Sequence, residues 1–130
     1  MRRTALLAVL VLAACVAPSG APRPGCGSAW ASVEVVAADP AGAAEEPLAI
    51  DCISTLTERR VRIGFTLPAG PSCYHLARIE LVESADAASI TLFARRSDGA
   101  AGCPTGESQA TTELDLQSPI DGRDLLDGSE

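Results

Sequence analysis

Cys73-Tyr74-His75 puts a thiol and an imidazole two residues apart, the closest such pair in the chain. Residues of these types can form a Cys/His nucleophile or half of a metal site. Zinc would need a second clustered ligand pair, and His75 is the single histidine. A cysteine in a disulfide is neither nucleophile nor ligand. Serine chemistry needs an activated serine, and the sequence has no G-x-S-x-G elbow. Carboxylates are adjacent at Glu45-Glu46 and close at Asp121 and Asp124, but 17 acidic side chains make such neighbours common by chance. No glycine loop for phosphate and no calcium loop is present. Four aromatic residues, Trp30, Phe65, Tyr74 and Phe93, are too few for a stacking platform. The expectation is no catalytic residue, no cofactor, no metal ligand and no enzyme.

The cysteine with the clearest chemistry stands at the N-terminus. Arg2 and Arg3 precede an unbroken apolar run over residues 5–14. A charged start and a short apolar core form a secretory signal, and ten apolar residues cannot cross a bilayer that needs about 20. The run ends in Leu12-Ala13-Ala14-Cys15, which resembles the lipobox of bacterial lipoproteins. The resemblance implies a diacylglycerol on the Cys15 thiol, with cleavage just before it. Two or more acyl chains hold a protein stably at a membrane. The organisation expected is a signal peptide over residues 1–14, a lipidated cysteine and Pro/Gly/Ala tether over 15–25, and a single β domain over 26–130. At the rise of an extended chain the tether would lift the domain by roughly 20–30 Å.

Composition narrows the partners. All ten basic residues are arginine, with no lysine and no asparagine, as codon bias in a GC-rich genome would produce. Cleavage before Cys15 removes Arg2 and Arg3, leaving 8 basic against 17 acidic side chains, a formal charge near −9. Such a protein is repelled by nucleic acid and by anionic lipid or wall polymers. The partners expected are the membrane, through lipid on Cys15, and a protein or envelope component of unknown identity.

Short alternating runs define the elements that position these residues. Val33 and Val35 alternate with polar neighbours. Leu48, Ile50 and Cys52 share one face of an alternating run, with Ala49 and Asp51 on the other. Val61, Ile63, Phe65 and Leu67 alternate strictly with Arg62, Gly64 and Thr66. Further alternation joins Ala77, Ile79 and Leu81, then Ile90, Leu92 and Ala94, then Thr112, Leu114 and Leu116, and a short run ends at Leu125-Leu126. Turns fall over residues 57–60 and near Ala85-Asp86. The alanine-rich stretch 84–89 is too short for a stable helix. Phe93 lies opposite Ile90 and Leu92 and is expected to be buried. The fold class is all-β, a small antiparallel β-sandwich of six to seven short strands with two disulfides. The Cys…Trp…Cys spacing of immunoglobulin domains is missing.

With Cys15 assigned to lipid, Cys26, Cys52, Cys73 and Cys103 remain, an even number suited to an exported domain. Three pairings are open. Cys73 and Cys103 flank a predicted hairpin and meet at its open end. That leaves Cys26 and Cys52 for each other, a pairing the sequence leaves undecided.

The mature chain resembles small uncharacterised lipoproteins of high-GC Gram-positive bacteria over residues 55–128. The resemblance rests on Gly70-Pro71-Ser72-Cys73-Tyr74, residues 79–84, Ala101-Gly102-Cys103-Pro104 and the ending over 114–128. It implies a secreted β-rich domain with a Cys73–Cys103 bridge, and no activity. Its ending carries Pro119, Arg123 and Asp127, the candidate surface motif; as structure alone, Arg123 would pair with Asp121 or Asp127. The expected function is a non-catalytic, lipid-anchored surface module on the extracytoplasmic face of the bacterial cell membrane. The competing readings are a metal-binding envelope protein using acids and His75, and an enzyme of unrecognised type.

Overall fold

The computed structural model describes residues 17–42, 44–70, 73–97, 102–103 and 106–130. The expected signal peptide, residues 1–14, and Cys15 lie outside the described residues.

Among the described residues eight strands form two sheets: β1 Ala21–Pro22, β2 Glu45–Leu48, β3 Ile50–Thr55, β4 Arg60–Leu67, β5 Tyr74–Glu83, β6 Ala87–Arg96, β7 Ser108–Asp115 and β8 Asp124–Asp127. Sheet A centres on β6. One edge of β6 pairs with β5, and the other pairs with β8 over residues 87–90 and β2 over 92–95; β1 lies beyond β8. Sheet B is β3-β4-β7. Among these strands the pairing is antiparallel except for β6 with β8, so sheet A is mixed, where an all-antiparallel sandwich was expected.

Alternation explains the core. Ala88, Ile90, Leu92 and Ala94 of β6 face Val61, Ile63 and Phe65 of β4 in one cluster, and all seven are fully buried. Each large aliphatic side chain removed from water contributes about 1.5–3 kcal/mol. The β5–β6 hairpin turns over Ser84-Ala85-Asp86. The Ser84 hydroxyl accepts the N–H groups of Asp86 and Ala87, each at 3.2 Å. The β3–β4 hairpin turns at residues 56–59, with the Leu56 N–H on the Arg60 carbonyl.

Several expectations need correction. The run Leu48-Ala49-Ile50 belongs to two strands: the chain leaves sheet A after Leu48 and enters sheet B at Ile50. A register shift between Ile50 and Cys52 then reverses the alternation. Ile50 pairs with Phe65 on the inner face, whereas Cys52 pairs with Gly64 on the outer face. A second shift, between Leu76 and Arg78, does the same in β5. Residues 32–35 form no strand; Val35 makes one bridge to Thr111, and the N–H groups of Val36 and Thr111 bond the carbonyls of Thr111 and Glu34. Phe93 is half-buried on the outer face of sheet A, where Arg78 lies 4.1 Å above its ring.

The stretch after Ala17 is part of the fold, not a free tether. Ser19 accepts a hydrogen bond from the Ser89 hydroxyl at 2.5 Å, Ala21 and Pro22 pair with Asp127 and Leu126, and Pro24 accepts the Ile53 N–H at 2.9 Å. This strap runs from sheet A around the sandwich edge to sheet B, where Cys26 is bridged to Cys52. Short length and high Pro/Gly content suggested a linker, but long-range partners satisfy its backbone groups.

Candidate functional site

Both disulfides are present, Cys26–Cys52 with Cα atoms 4.9 Å apart and Cys73–Cys103 at 5.7 Å. The Cys73 sulfur is therefore closed to catalysis and to metal. His75 instead places Nδ1 3.0 Å from the Ser97 hydroxyl, a pair that sequence reasoning missed because the two are 22 positions apart in the chain and meet only at the open end of the hairpin. In a nucleophilic dyad a third group orients the histidine through its other nitrogen. Here Nε2 is buried with no hydrogen-bond partner among the described residues. No group of three His, Cys, Asp or Glu side chains among the described residues could hold a metal ion.

The ending Pro119, Arg123 and Asp127 is split between two places. Arg123 lies just before β8 and pairs with Glu83 at 2.9 Å, not with Asp121 or Asp127. Its Nε donates to the Pro119 carbonyl, Nη1 to Ser84 and Nη2 to Ser118. The Glu83 carboxylate also accepts the N–H groups of Gln117 and Ser118. Burial pushes the Glu83 carboxyl up, but hydrogen bonds from Gln117, Arg123 and Ser118 outweigh it and hold it below its ordinary range. The two side chains are only 6% and 10% exposed. They clasp the loop over residues 117–123 to the β5–β6 turn and floor an open hollow of about 390 Å³ edged by Ala85 and Asp121. In that loop Asp121 and Gly122 both have positive φ, and Arg123 N–H bonds the Ile120 carbonyl, as in a type I′ turn. With its guanidinium committed to Glu83 and three carbonyls, Arg123 acts as a clasp.

Asp127 is on the inward face of β8 and fully buried. One carboxylate oxygen accepts the Ile50 N–H at 2.8 Å and the Arg23 guanidinium at 3.1 Å; the other accepts the N–H and hydroxyl of Ser129. Arg23 also meets Glu130, and these bonds, Glu130 first and then Asp127, raise its pKa further. Asp127 thus joins the strap, sheet A and the first residue of sheet B. Nothing local in the sequence signals this, since its partners lie far away along the chain.

A second hollow, of about 240 Å³, opens on the outer face of sheet B beside the Cys26–Cys52 bridge. Trp30, carried on a 3₁₀ turn over Ser28–Trp30, covers Gly64 of the central strand. Leu56 at its rim is 41% exposed, and Arg62 lines it while pairing with Glu113 at 3.0 Å. No protein-family model, no curated protein and no solved structure matches the chain.

Proposed function

We propose that the protein is a lipid-anchored, non-catalytic module of the bacterial cell envelope, held on the extracytoplasmic face of the membrane through Cys15. The observation that carries this reading is Leu12-Ala13-Ala14-Cys15 at the end of an apolar run that follows Arg2 and Arg3. Lipid on Cys15 leaves an even set of four cysteines, and two structural bridges suit an oxidising compartment. The committed state of Cys73 and of Arg123 supports a binding or structural role over catalysis. The hollow beside Trp30, with apolar and polar rim residues, is where an envelope partner is to be sought.

The test is expression in a bacterial host with labelled palmitate, comparing the natural chain with Cys15→Ala. The expected result is label and membrane retention in the first and neither in the second. Equal labelling and retention of the two chains would overturn the reading.

A further inference from the structure

We infer that the anchor is a short mount, and that it turns the outer face of sheet A toward the bilayer while the Trp30 hollow faces away. The inference rests on Cys15 carrying the lipid, as proposed above, and adds an orientation to it.

Among the described residues, Ser19 is the first of the strap bonded to the sandwich. Its partner Ser89 alternates along β6 with Ala88 and Ile90, both in the core, so Ser89 is on the outer face. Gly20 is packed so closely on the Asp127 carbonyl that a Cβ there would collide with it. The following residues are fixed by β1–β8 pairing, by Arg23–Asp127 and by the Cys26–Cys52 bridge. The chain therefore emerges from the outer face of sheet A at a fixed point. Four Cα steps separate Ser19 from Cys15, a reach of at most about 15 Å. A lipid on Cys15 holds that point close to the headgroups.

The chemistry of this face suits a lipid surface better than the protein's overall acidity would suggest. Register places Arg78, Arg95, Glu45, Glu80 and Asp124 on it, two positive and three negative. Arg78 pairs with Glu45 and Glu80, each at 3.1 Å, and Arg95 with Glu45 at 3.6 Å. These leave a local charge near −1, whereas the whole chain carries −7. The opposite sheet presents Gly64, Arg62 and the Trp30 hollow on its own outer face, so these point to solvent and to any partner.

The test uses the protein from Cys15 onward with both bridges closed. A maleimide phospholipid is attached to the Cys15 thiol, the one cysteine outside the bridges, in phosphatidylcholine vesicles bearing dansyl headgroups. Energy transfer is read from Trp30 in the natural chain and from Glu80→Trp in a Trp30→Phe background. Val82→Trp in that background supplies a second outward position on β5. Transfer is expected to be several-fold stronger from position 80 or 82 than from Trp30. A long Gly/Ser insertion between Cys15 and Ser19 should erase the difference. Equal transfer from both faces, stronger transfer from Trp30, or a difference that survives the insertion overturns the inference. Chemical attachment lipidates Cys15 whether or not the cell does, so a failure of labelling in cells and a failure of orientation on vesicles are separate results.

Discussion

The Arg23 guanidinium lies 3.1 Å from the Asp127 carboxylate, across a separation of 104 residues, and the same oxygen takes the Ile50 N–H at 2.8 Å. One buried carboxylate thereby fixes the strap to both sheets. Its loss strands the Ile50 N–H and leaves the half-buried Arg23 with Glu130 alone. Asp127→Ala is expected to cost about 3–5 kcal/mol, as when one partner of a buried pair is removed. Urea unfolding checks this, and a change below about 0.5 kcal/mol, the size expected of a neutral surface substitution, would contradict the role.

Gly64 has no room for a side chain. A Cβ there would lie 2.5 Å from the Cys52 sulfur and 2.8 Å from the Trp30 ring. Gly64→Ala should destabilise by about 1–3 kcal/mol through overpacking. Trp30→Ala should recover part of that loss, because the ring can no longer be struck. A double-mutant cycle by chemical denaturation reads the coupling, and strict additivity would refute the contact.

Removing the Cys26–Cys52 bridge should loosen the strap as well as lower stability. Its loop spans 26 residues, against 30 for Cys73–Cys103, so loop-closure entropy puts each bridge at roughly 3–4 kcal/mol. Cys26→Ser with Cys52→Ser is expected to speed hydrogen exchange at Ala21 and Ile53. Loss of the Cys73–Cys103 bridge should leave those two amides protected. Exchange that rises equally in both variants would argue against a separate strap.

Acid should weaken the fold through named carboxylates. Arg78 and then Arg95 hold Glu45 below its ordinary range, Arg60 does so for Asp115, and Glu83 is held down by its clasp bonds. Each folded pKa lies below the unfolded value. On acidification the unfolded chain takes up protons first, so the stabilisation is complete above about pH 4.5 and is lost as pH falls through the folded values. Denaturation midpoints between pH 3 and pH 6 check this. Glu83→Gln should flatten the acid side of the profile, and an unchanged slope would remove Glu83 from the account.

Gly122 adopts φ +75 in the turn that carries Arg123 into its clasp. Gly122→Val forces a β-branched residue into the left-handed region and should cost about 1–2 kcal/mol. Thermal unfolding of this variant beside Gly27→Ala, at a glycine with φ −72 and open space for a Cβ, separates turn strain from a general glycine effect. An undiminished melting temperature for Gly122→Val would show that the turn does not need it.

Strict alternation over residues 61–67 and 90–94 made the two central strands readable, because a side chain every second residue must enter one core. The β5–β6 hairpin was readable for the same reason, and it brought Cys73 to Cys103. What alternation cannot carry is a shift of register. The bulge between Ile50 and Cys52 moves Cys52 to the outer face, under Trp30, and only the partner strand imposes it. The crossing between sheets at Ala49 is likewise invisible in a run that reads as one strand. Residues 19–25 have linker composition, yet they are ordered by Ser89, Asp127 and Ile53, each more than 25 positions away. Arg123 finds Glu83 rather than the acids beside it because β8 turns Asp127 into the core and the β5–β6 turn brings Glu83 alongside. Local pattern determined the strands and the hairpin bridge. Tertiary structure decided the strap, the clasp and the outer faces, because their bonds join residues that become neighbours only after the sheets have packed.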